Sequence, residues 1–432
     1  MVSVRPPTSG WRRYEISLLC AAATVLCYAD RTNIGIAIPA FQPDHAVQGQ
    51  ILSAFFYGYI ATQLIGAYVA TVFGPKRVLM IGVLTWTIFD LLTVPFATSP
   101  VLLWIARVGM GFGEGVVFPC LYNIAASWYP QPERSRLNAT VSGGMDLGTI
   151  VAMVMSPLLM AQFGYAAIFY TFGSLTSLWI LLFLWRGSDS PETDALIESD
   201  ECDYIVVHRR DETKSPSATE LQYTTWPIIA IYVSHFCYNY GWYVLLGWIP
   251  QYFRLQLNLE LASSGIAAAV PYICGYLGVI TWGFLSDWLI GRGLRVLTVR
   301  QIMNGIGMVG AAIALYCLRF VASAPAAVAL LSMTLFLSRA ATSGYWVNML
   351  DVAPRHAGHL MAVSNTISTV PGIFGNIVTG AILEKSGDWN MVFSIVTAIL
   401  VCGGFFFQLC ASDESQEKPK RTLDDKTPLL AK

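Results

Sequence analysis

The stretch "GAYVATVFGPKR", residues 66–77, lies between the second and third long apolar runs of the chain and ends in a glycine-proline turn with two basic residues. A related stretch, "GFLSDWLIGRG", residues 283–293, lies between the eighth and ninth apolar runs. A second pair of turns follows the same spacing, with "WYPQPERSR" after the fourth run and "DVAPRHAG" after the tenth. Similar turns at matching places predict two related halves of six helices each.

The composition is that of an integral membrane protein. Of the 432 residues, 55% are hydrophobic and only 12% are charged, whereas a soluble domain is about a quarter charged. The net charge of -1 and the lack of basic runs give no indication of a nucleic-acid partner. The nine cysteines show neither a disulfide framework nor metal-ligand spacing, so no cofactor is expected. The first apolar run lacks a small-residue cleavage site, and we expect it to be retained as a helix.

Twelve apolar runs reach the length of about 20 residues that a membrane-crossing helix needs. They are predicted at approximately 14–38, 50–72, 78–97, 101–128, 136–161, 165–186, 226–252, 264–285, 297–319, 324–350, 357–383 and 389–411. The predicted fold is therefore all-α and polytopic, with twelve transmembrane helices in two six-helix halves. Its parts are a tail (1–13), a first bundle (14–186), a connection (187–225), a second bundle (226–411) and a second tail (412–432). The polar, acidic connection resembles a flexible linker.

Basic residues in the connections predict the orientation. With both termini in the cytoplasm, 20 of the 26 Lys and Arg residues lie on the cytoplasmic side and 3 on the opposite side. Cytoplasmic loops carry such an excess of basic residues, so we expect both termini to be cytoplasmic. Two related halves in a membrane are typical of a secondary transporter whose solute site lies between the halves near the middle of the membrane.

Seven charged side chains lie near the centres of predicted helices. They are Asp30, Arg31, Asp90, Arg107, Glu114, Asp146 and Arg339. Each costs about 2.5 to 3.5 kcal/mol at a helix centre, or roughly 20 kcal/mol together, if it faces lipid. We therefore expect them to face one another or a water-filled cavity. Intramembrane ionisable residues of this kind mark solute or proton paths, although a structural ion pair is the alternative reading for each.

Two of these pairs suggest an anion site coupled to a proton site. Arg107 and Glu114 are seven residues apart, about 10.5 Å along one helix face, among glycines that permit close approach of another helix. Adjacent Asp30 and Arg31 point about 100 degrees apart, so one is expected to face the cavity and the other a neighbouring helix. Arginine binds carboxylates and phosphates in a bidentate manner, whereas a carboxylate away from water can carry a proton.

Other polar positions are open to two interpretations. Asp146 lies on a glycine-rich helix and could line a solute cavity or pack against a helix. Tyr59 is an aromatic core residue or a solute contact. Asn365, in "SNTIST", is expected to hydrogen-bond either the solute or a neighbouring helix. His235 is interpreted as a core histidine rather than a proton relay.

Several motifs together resemble the major facilitator superfamily and, within it, the anion:cation symporter family, over roughly residues 14–411. That family includes vesicular glutamate and nucleotide transporters, sialin, sodium-phosphate cotransporters, plant plastid phosphate transporters, and bacterial hexuronate and galactonate transporters. The motifs are "YADRTNIGIA", "SAFFYGYIATQLIGAYVA", "RVGMGFGEGVVFPCLYNIAASWYPQPERSR", "GFLSDWLIGRG", "TVRQIMNGIG" and "NMLDVAPRHAGHLMAVSNT".

The resemblance implies roles for individual residues. Arg31 and Arg107 fall on arginines implicated in anion binding, and Glu114 falls on a proton-sensitive acidic position. Asp30 matches the Asp-Arg form of the first-helix motif in proton-coupled sugar-acid transporters, and Tyr59 falls on a solute-facing aromatic position. Asp287 and the following Arg292 resemble a cytoplasmic turn that latches the two halves together in the outward-facing state. All of these roles are implied by the resemblance alone.

The chain also departs from the family pattern. Ala70 and Thr71 replace the usual Asp and Arg of the first-half turn, and Tyr238 and Leu52 replace residues typical of vesicular glutamate transporters, which argues against glutamate as substrate. Asp146 and Arg339 are unusual charges near the expected solute path, and Arg339 is a candidate partner for Asp146 or for the solute.

The tail "DDKTPLLAK" resembles an acidic dileucine signal, through Asp425, Leu429 and Leu430. Such a signal binds clathrin adaptors and sorts proteins to endosomes, lysosomes or vacuoles, with the plasma membrane as the alternative location.

We therefore expect a transporter that moves an organic anion or phosphate by alternating access with H+ or Na+, in which deprotonated Glu114 or Asp30 competes for the arginines. A passive uniporter and a non-transporting nutrient sensor are the alternatives. An enzyme is not expected, because the sequence shows no metal cluster, phosphate loop or nucleophile-base motif.

Overall fold

The computed structural model describes residues 10–130, 133–209, 219–354 and 356–419. In these ranges the regular structure consists of sixteen α-helices, several short 3-10 and π segments and one pair of short strands. The helices are α1 (Arg12–Ala37), α2 (His45–Phe73), α3 (Pro75–Phe96), α4 (Pro100–Glu114), α5 (Val117–Trp128), α6 (Arg134–Phe163), α7 (Ala166–Arg186), α8 (Ser199–His208), α9 (Trp226–Gln251), α10 (Leu261–Gly291), α11 (Val296–Gly305), α12 (Ala311–Tyr316), α13 (Ala324–Ser338), α14 (Val347–Val352), α15 (Ala357–Ser386) and α16 (Trp389–Cys410). Strands β1 (Thr219–Leu221) and β2 (Glu417–Pro419) pair antiparallel.

These helices form twelve membrane crossings, which confirms the predicted all-α membrane fold. Three crossings join two helices each, namely Pro100–Trp128, Val296–Phe320 and Ala324–Val352, and α8 lies outside the bundle. Numbered along the chain, spans 1 to 6 form the first half and spans 7 to 12 the second half. Nine of the described segments reach transmembrane length and hydropathy. The other three, spans 1, 2 and 7, are helices of 26, 29 and 26 residues, which is long enough to cross.

Turn chemistry explains where the spans begin. Asp44 caps span 2 by accepting hydrogen bonds from the first backbone N–H groups of the helix, and Asp388 caps span 12 in the same way. Between spans 2 and 3, Gly74 has a φ of 88°, a left-handed conformation that favours glycine, and the helix restarts at Pro75. In the stretch 66–77, the end of span 2 is therefore followed directly by the start of span 3.

Both described ends of the chain lie on one face of the bundle, which we call the terminal face. Gly10 contacts Glu201 in the connection between the halves, and β2, after span 12, pairs with β1 of the same connection. Every loop that follows an odd-numbered span, such as those between spans 1 and 2 and between spans 3 and 4, lies on the other face. We call this face the opposite face. This arrangement follows from an even number of crossings.

The structure corrects the expectation that the connection 187–225 is a flexible linker. Its described part contains α8, and Glu201 of this helix is only 1% exposed. The Glu201 carboxylate accepts hydrogen bonds from the Arg13 side chain, at 2.7 Å, and from the backbone N–H groups of Arg12 and Arg13, at 3.1 and 3.2 Å. Tyr204 and Ile205 are also buried. Composition alone missed these contacts because they pair the connection with distant residues.

A second carboxylate extends this network on the terminal face. Glu133, in the loop before span 5, accepts hydrogen bonds from Arg13 and Tyr14, at 2.9 and 2.8 Å. Burial raises the pKa of Glu133, but the hydrogen bonds and the charge of Arg13 outweigh burial and hold this pKa below its ordinary value. The carboxylate therefore stays ionised at neutral pH and fixes the start of span 1.

We predict that Glu201→Gln destabilises the protein, because it leaves the buried Arg13 guanidinium without one of its carboxylate partners. The expected loss is about 3 kcal/mol, measured as a lower midpoint of thermal unfolding in detergent. Glu192→Gln is the matched control, since Glu192 pairs with Arg209 at an exposed position and its loss should cost less than about 1 kcal/mol. Equal midpoints for the Glu201 variant and the wild type would contradict a structural role for α8.

Candidate functional site

Arg31, in span 1, is held by a carboxylate from span 4. Its Nε and Nη2 donate hydrogen bonds to the same Glu114 oxygen, Oε2, at 3.1 and 2.8 Å. The guanidinium also lies over the rings of Tyr28, Phe55 and Tyr59, at 4.7, 4.7 and 5.0 Å from their centroids. Tyr59, a predicted solute contact, is therefore buried against Arg31. A cation in this environment is stabilised by one ion pair and by cation–π contacts.

Asp30 faces the other side of span 1. Its Oδ2 accepts hydrogen bonds from Trp86 Nε1 and Thr176 Oγ1, at 3.2 and 3.3 Å, so it points toward spans 3 and 6. No Lys or Arg nitrogen of the described residues lies within ion-pair distance of Asp30, which corrects the expectation that it competes directly for the arginines. The adjacent residues do point in different directions, as helix geometry requires.

Asp90 lies in the same region of the first half. It is completely buried, and neither of its carboxylate oxygens has a hydrogen-bond partner among the described residues. Asp30 likewise has one carboxylate oxygen, Oδ1, without a hydrogen-bond partner among the described residues. An ionised carboxylate without partners is costly away from water, and the described residues satisfy only one oxygen of Asp30 and neither oxygen of Asp90.

Arg107 is buried but has no carboxylate partner in the described part of the chain. It is 1% exposed, its Nη1 lies beside the Met110 sulfur at 2.7 Å, and its Nε has no hydrogen-bond partner. Its guanidinium lies 5.5 Å from the centroid of the Phe55 ring. Because a buried guanidinium needs acceptors, Arg107 keeps hydrogen-bonding capacity that the described residues do not use.

Arg31 and Arg107 line one cavity at the seam of the two halves. The cavity has a volume of about 30 Å³, and its lining includes Tyr243 and Gly247 of span 7 and Asn376 of span 11. A volume of this size holds about one water molecule. The structure therefore brings both predicted arginines to a shared space that the second half closes.

Glycines in span 4 explain how these side chains converge. A Cβ atom at Gly111 would lie 1.9 Å from the Phe55 carbonyl oxygen of span 2, and one at Gly113 would lie 2.6 Å from the Gly82 carbonyl oxygen of span 3. Only glycine permits backbones to approach so closely. Span 4 is consequently packed against spans 2 and 3, with Arg107 and Glu114 directed to the centre of the first half.

Other predicted site residues lie elsewhere. Asp146 and Arg339 form an ion pair with each other across the two halves. Asn365 is half-buried and does not line the cavity; its backbone carbonyl accepts hydrogen bonds from Ser368 and Thr369. Asp287 and Arg292 are exposed on the terminal face, where Arg292 lies over the Trp288 ring at 4.9 Å. The dileucine residues Asp425, Leu429 and Leu430 lie outside the described residues.

Sequence reasoning missed the contribution of the second half to the cavity. Asn376 is 2% exposed and accepts a hydrogen bond from Trp248 Nε1 at 3.0 Å, and Tyr243 packs against Phe56 with ring centroids 4.5 Å apart. Asn376 had a detectable signal, because it is a polar residue among closely spaced glycines, "GIFGNIVTG", as in span 4. Tyr243 had no such signal among the many aromatic residues of span 7.

The two halves meet tightly at the opposite face, beyond the cavity. A Cβ atom at Gly35 would lie 2.7 Å from the Gly247 carbonyl oxygen, and one at Gly49 would lie 2.5 Å from the Asn376 carbonyl oxygen. The backbone N–H of His45 also donates a hydrogen bond to the Glu384 carboxylate, at 2.7 Å. These backbone contacts close the route from the cavity to the opposite face.

Twelve spans in two halves, with a charged cavity at the seam, define the class of secondary membrane transporters. The family profile described as Major Facilitator Superfamily matches residues 20–375 and 231–431. The chain belongs to the major facilitator superfamily and, within it, to the anion:cation symporter family. Its members are transporters rather than enzymes, as the sequence predicted.

Similar proteins come from plants and animals. The chain is 36% identical to the chloroplastic ascorbate transporter of Arabidopsis thaliana over 411 residues, which cover 93% of this chain and 75% of the relative. Sodium-dependent phosphate transport protein 1, chloroplastic, of the same plant is 36% identical, with 93% and 80% covered. Human sialin is 34% identical over 385 residues, with 87% and 77% covered.

Solved structures share the fold. A bacterial homologue of the human lysosomal transporter Spinster, in an inward-facing and occupied conformation, superposes with a TM-score of 0.74 at 17% identity, with 93% of this chain and 97% of that chain covered. A D-xylose-proton symporter gives a TM-score of 0.72 at 15% identity, with 93% and 98% covered. At these identities the likeness concerns the fold alone.

We predict that Gly49→Ala prevents closure of the opposite face, because the added Cβ collides with the Asn376 backbone. The variant should open more often to that face, measured as faster thiol labelling of a cysteine introduced at Leu52 of the cavity lining. Gly310→Ala is the control, because a Cβ there meets its nearest atom at 3.7 Å, within the second half. Labelling of the Gly49 variant at the control rate would show that this contact does not form the closed gate.

Proposed function

We propose that this protein is a proton-coupled symporter that moves an organic anion or phosphate by alternating access. One observation carries the proposal: two buried guanidiniums, Arg31 and Arg107, face a shared cavity, and only Arg31 has a carboxylate partner among the described residues. Names of relatives support an anionic solute, since they include transporters of ascorbate and phosphate.

Glu114 is the group that couples proton and anion in this proposal. When it is ionised, its Oε2 occupies the two donor atoms of Arg31 that would otherwise face a solute. Protonation of Glu114 removes the charge that holds Arg31, so the anion can bind Arg31 and Arg107 together. Anion and proton therefore load in one step, and a carrier with only one of them keeps an uncompensated buried charge and isomerises slowly.

Charge balance in the centre of the membrane favours protons as the coupling ion. The described spans contain four central carboxylates and three guanidiniums, with Asp30, Asp90, Glu114 and Asp146 opposed to Arg31, Arg107 and Arg339. With all seven groups ionised, the central charge would be negative by one unit before any solute binds, and an entering anion would make it more negative. Because uncompensated charge is costly there, each anion is expected to enter with protons on the carboxylates. Asp30 and Asp90, which lack a cation partner, are the further acceptors.

Sodium is the second candidate coupling ion, because one relative is a sodium-dependent phosphate transport protein. Among the described residues no group of three or more His, Cys, Asp or Glu side chains is placed to hold a metal ion. Na+ would therefore need backbone or hydroxyl oxygens in addition to the carboxylates.

We further propose that the terminal face is cytoplasmic, which places the closed contacts of the opposite face on the non-cytoplasmic side. The 20 to 3 excess of basic residues on this face supports the orientation. The tail signal formed by Asp425, Leu429 and Leu430 suggests a clathrin adaptor as a partner and an endosomal, lysosomal or vacuolar membrane, with the plasma membrane as the alternative.

We predict that Arg107→Ala abolishes uptake of the transported anion into proteoliposomes, because the cavity loses its unpaired guanidinium. Glu114→Gln should retain anion exchange but lose stimulation by an inward proton gradient, since its amide cannot titrate. The measurement screens labelled phosphate, sugar acids, nucleotides and amino acids under imposed H+ or Na+ gradients. Arg319→Ala, at an exposed position of the opposite face, is the control and should transport normally.

Three outcomes would reject parts of this proposal. Unchanged proton-driven accumulation by Glu114→Gln would exclude its coupling role, and stimulation by Na+ alone would exclude proton coupling. Solute binding without flux in the wild type would identify a sensor, whereas flux that never concentrates the solute would identify a uniporter.

The orientation predicts that epitope tags at both termini are accessible only after the cell membrane is permeabilised. A tag inserted at residue 258, between spans 7 and 8, should instead be accessible in intact cells. This experiment requires protein at the plasma membrane or in sealed vesicles of known sidedness. Accessible terminal tags in intact cells would reverse the proposed orientation.

A further inference from the structure

An ion pair connects the two halves at the seam. Arg339 of span 10 donates through Nη2 to Asp146 Oδ1 of span 5, and each side chain is about one-tenth exposed, at 12% and 11%. Span 10 is irregular at this point, because α13 ends at Ser338 and a π segment, Thr342–Trp346, follows. Such π segments inside helices are frequent at functional sites.

Several buried polar groups around Arg339 lack hydrogen-bond partners. Arg339 Nε is buried and has no partner among the described residues, and the same holds for the hydroxyl groups of Tyr238 and Tyr272. The guanidinium carbon lies 4.3 Å from the centroid of the Trp242 ring, which packs against Tyr272 with ring centroids 5.6 Å apart, and both phenol groups interact electrostatically with Arg339. Unsatisfied buried donors are costly, and an oxyanion would satisfy them.

Arg339 and Arg107 lie at different depths in the bundle. Arg107 lies seven residues from the start of span 4 at the opposite face, or about 10 Å along the helix, whereas Arg339 lies fifteen residues from the start of span 10, or about 22 Å. Along the helices, the Cα of Arg339 is therefore about 12 Å nearer the terminal face than that of Arg107, at about the depth of Glu114, which is fourteen residues from the start of span 4. A solute that leaves the cavity toward that face passes this level of the seam.

We propose that Arg339, with the hydroxyls of Tyr238 and Tyr272, forms a second anion-binding site on the route between the cavity and the terminal face, and that Asp146 occupies this site when no solute does. The ligand class is an oxyanion, either a carboxylate or a phosphate. The inference rests on the proposed anion transport and adds a second site to it. Asp146 acts as an internal substitute for the solute's anionic group and returns Arg339 to its paired state after the solute leaves.

A purely structural ion pair in the same half looks different. Arg300 donates from Nε to Asp351 at 2.8 Å and uses its other nitrogens on Asp351, Ser286 and the Ser343 carbonyl, so its donors are satisfied within the second half. Arg339, in contrast, donates to Asp146 of the other half, and its Nε has no hydrogen-bond partner among the described residues. An ion pair between two halves that move, with a donor unused, suits a site that exchanges its acceptor.

The test compares four variants in proteoliposomes with labelled inorganic phosphate and labelled glucuronate as probes. Arg339→Gln should lower the maximal rate by about tenfold or more, because the departing anion loses its second site. Asp146→Asn should lower the half-saturating concentration and also the maximal rate, because nothing displaces the anion from Arg339. Arg339→Lys keeps the charge but not the forked geometry, and should raise the half-saturating concentration while thermal stability is retained.

The double variant Asp146→Asn with Arg339→Gln separates a binding role from a structural one. Removal of both partners of a structural pair is nearly neutral, so wild-type transport by this variant would overturn the proposal, as would normal kinetics of Arg339→Lys. A double variant as slow as Arg339→Gln is the expected result. Arg295→Gln with Asp413→Asn, an exposed pair on the terminal face, is the control.

The same measurements distinguish this inference from the proposed function. If wild-type protein transports a probe and Arg107→Ala does not, but the Arg339 variants are normal, only the second site is rejected. If the wild type transports neither these probes nor any solute of the wider screen, the proposed function fails.

Discussion

The cost of an unpaired charge inside a membrane governs the centre of this protein. Six charged side chains of the first half are buried at mid-span, yet only Arg31 and Glu114 form an ion pair with each other, and Asp146 pairs with Arg339 of the second half. The remaining charges can exist only because water, a proton or a solute completes them. Glycines at 111 and 113 serve the same requirement, because they bring span 4 close enough for Glu114 to reach Arg31.

The ion pair between Arg31 and Glu114 is informative because it leaves Arg107 without a carboxylate among the described residues. If Glu114 neutralised both arginines, the cavity would need no anion, and if neither arginine had a partner, the empty protein would carry two costly charges. In the proposed mechanism, one carboxylate for two guanidiniums leaves a site that accepts one more negative charge. The closed backbone contacts at Gly35 and Gly49 then determine from which face that charge can arrive.

Much of the fold could be predicted from the sequence, because membrane spans and basic loops are strong, local signals. The site was partly predictable for the same reason, since a charge inside an apolar run is conspicuous, as for Arg107 and Glu114. Contacts between segments that are distant along the chain could not be predicted. Nothing local shows that Asp30 turns toward Trp86, or that Glu201 in an acidic connection is buried against Arg13. Aromatic and amide residues such as Tyr243 lack a distinguishing signal, because the bilayer core and the cavity tolerate them equally.

The two halves share one topology but differ in their chemistry. The first half supplies six of the seven central charges, whereas Arg339 is the single one from the described spans of the second half. His235, an ionisable group deep in the second half, is buried and hydrogen-bonded to Ser364 at 2.8 Å. In the proposed mechanism, this asymmetry places the coupling carboxylates and two of the three anion-binding arginines in the first half. The second half, with Tyr243, Asn376 and the hydroxyls near Arg339, is left to contact the remainder of the solute, so differences in solute choice among similar transporters are expected to arise there.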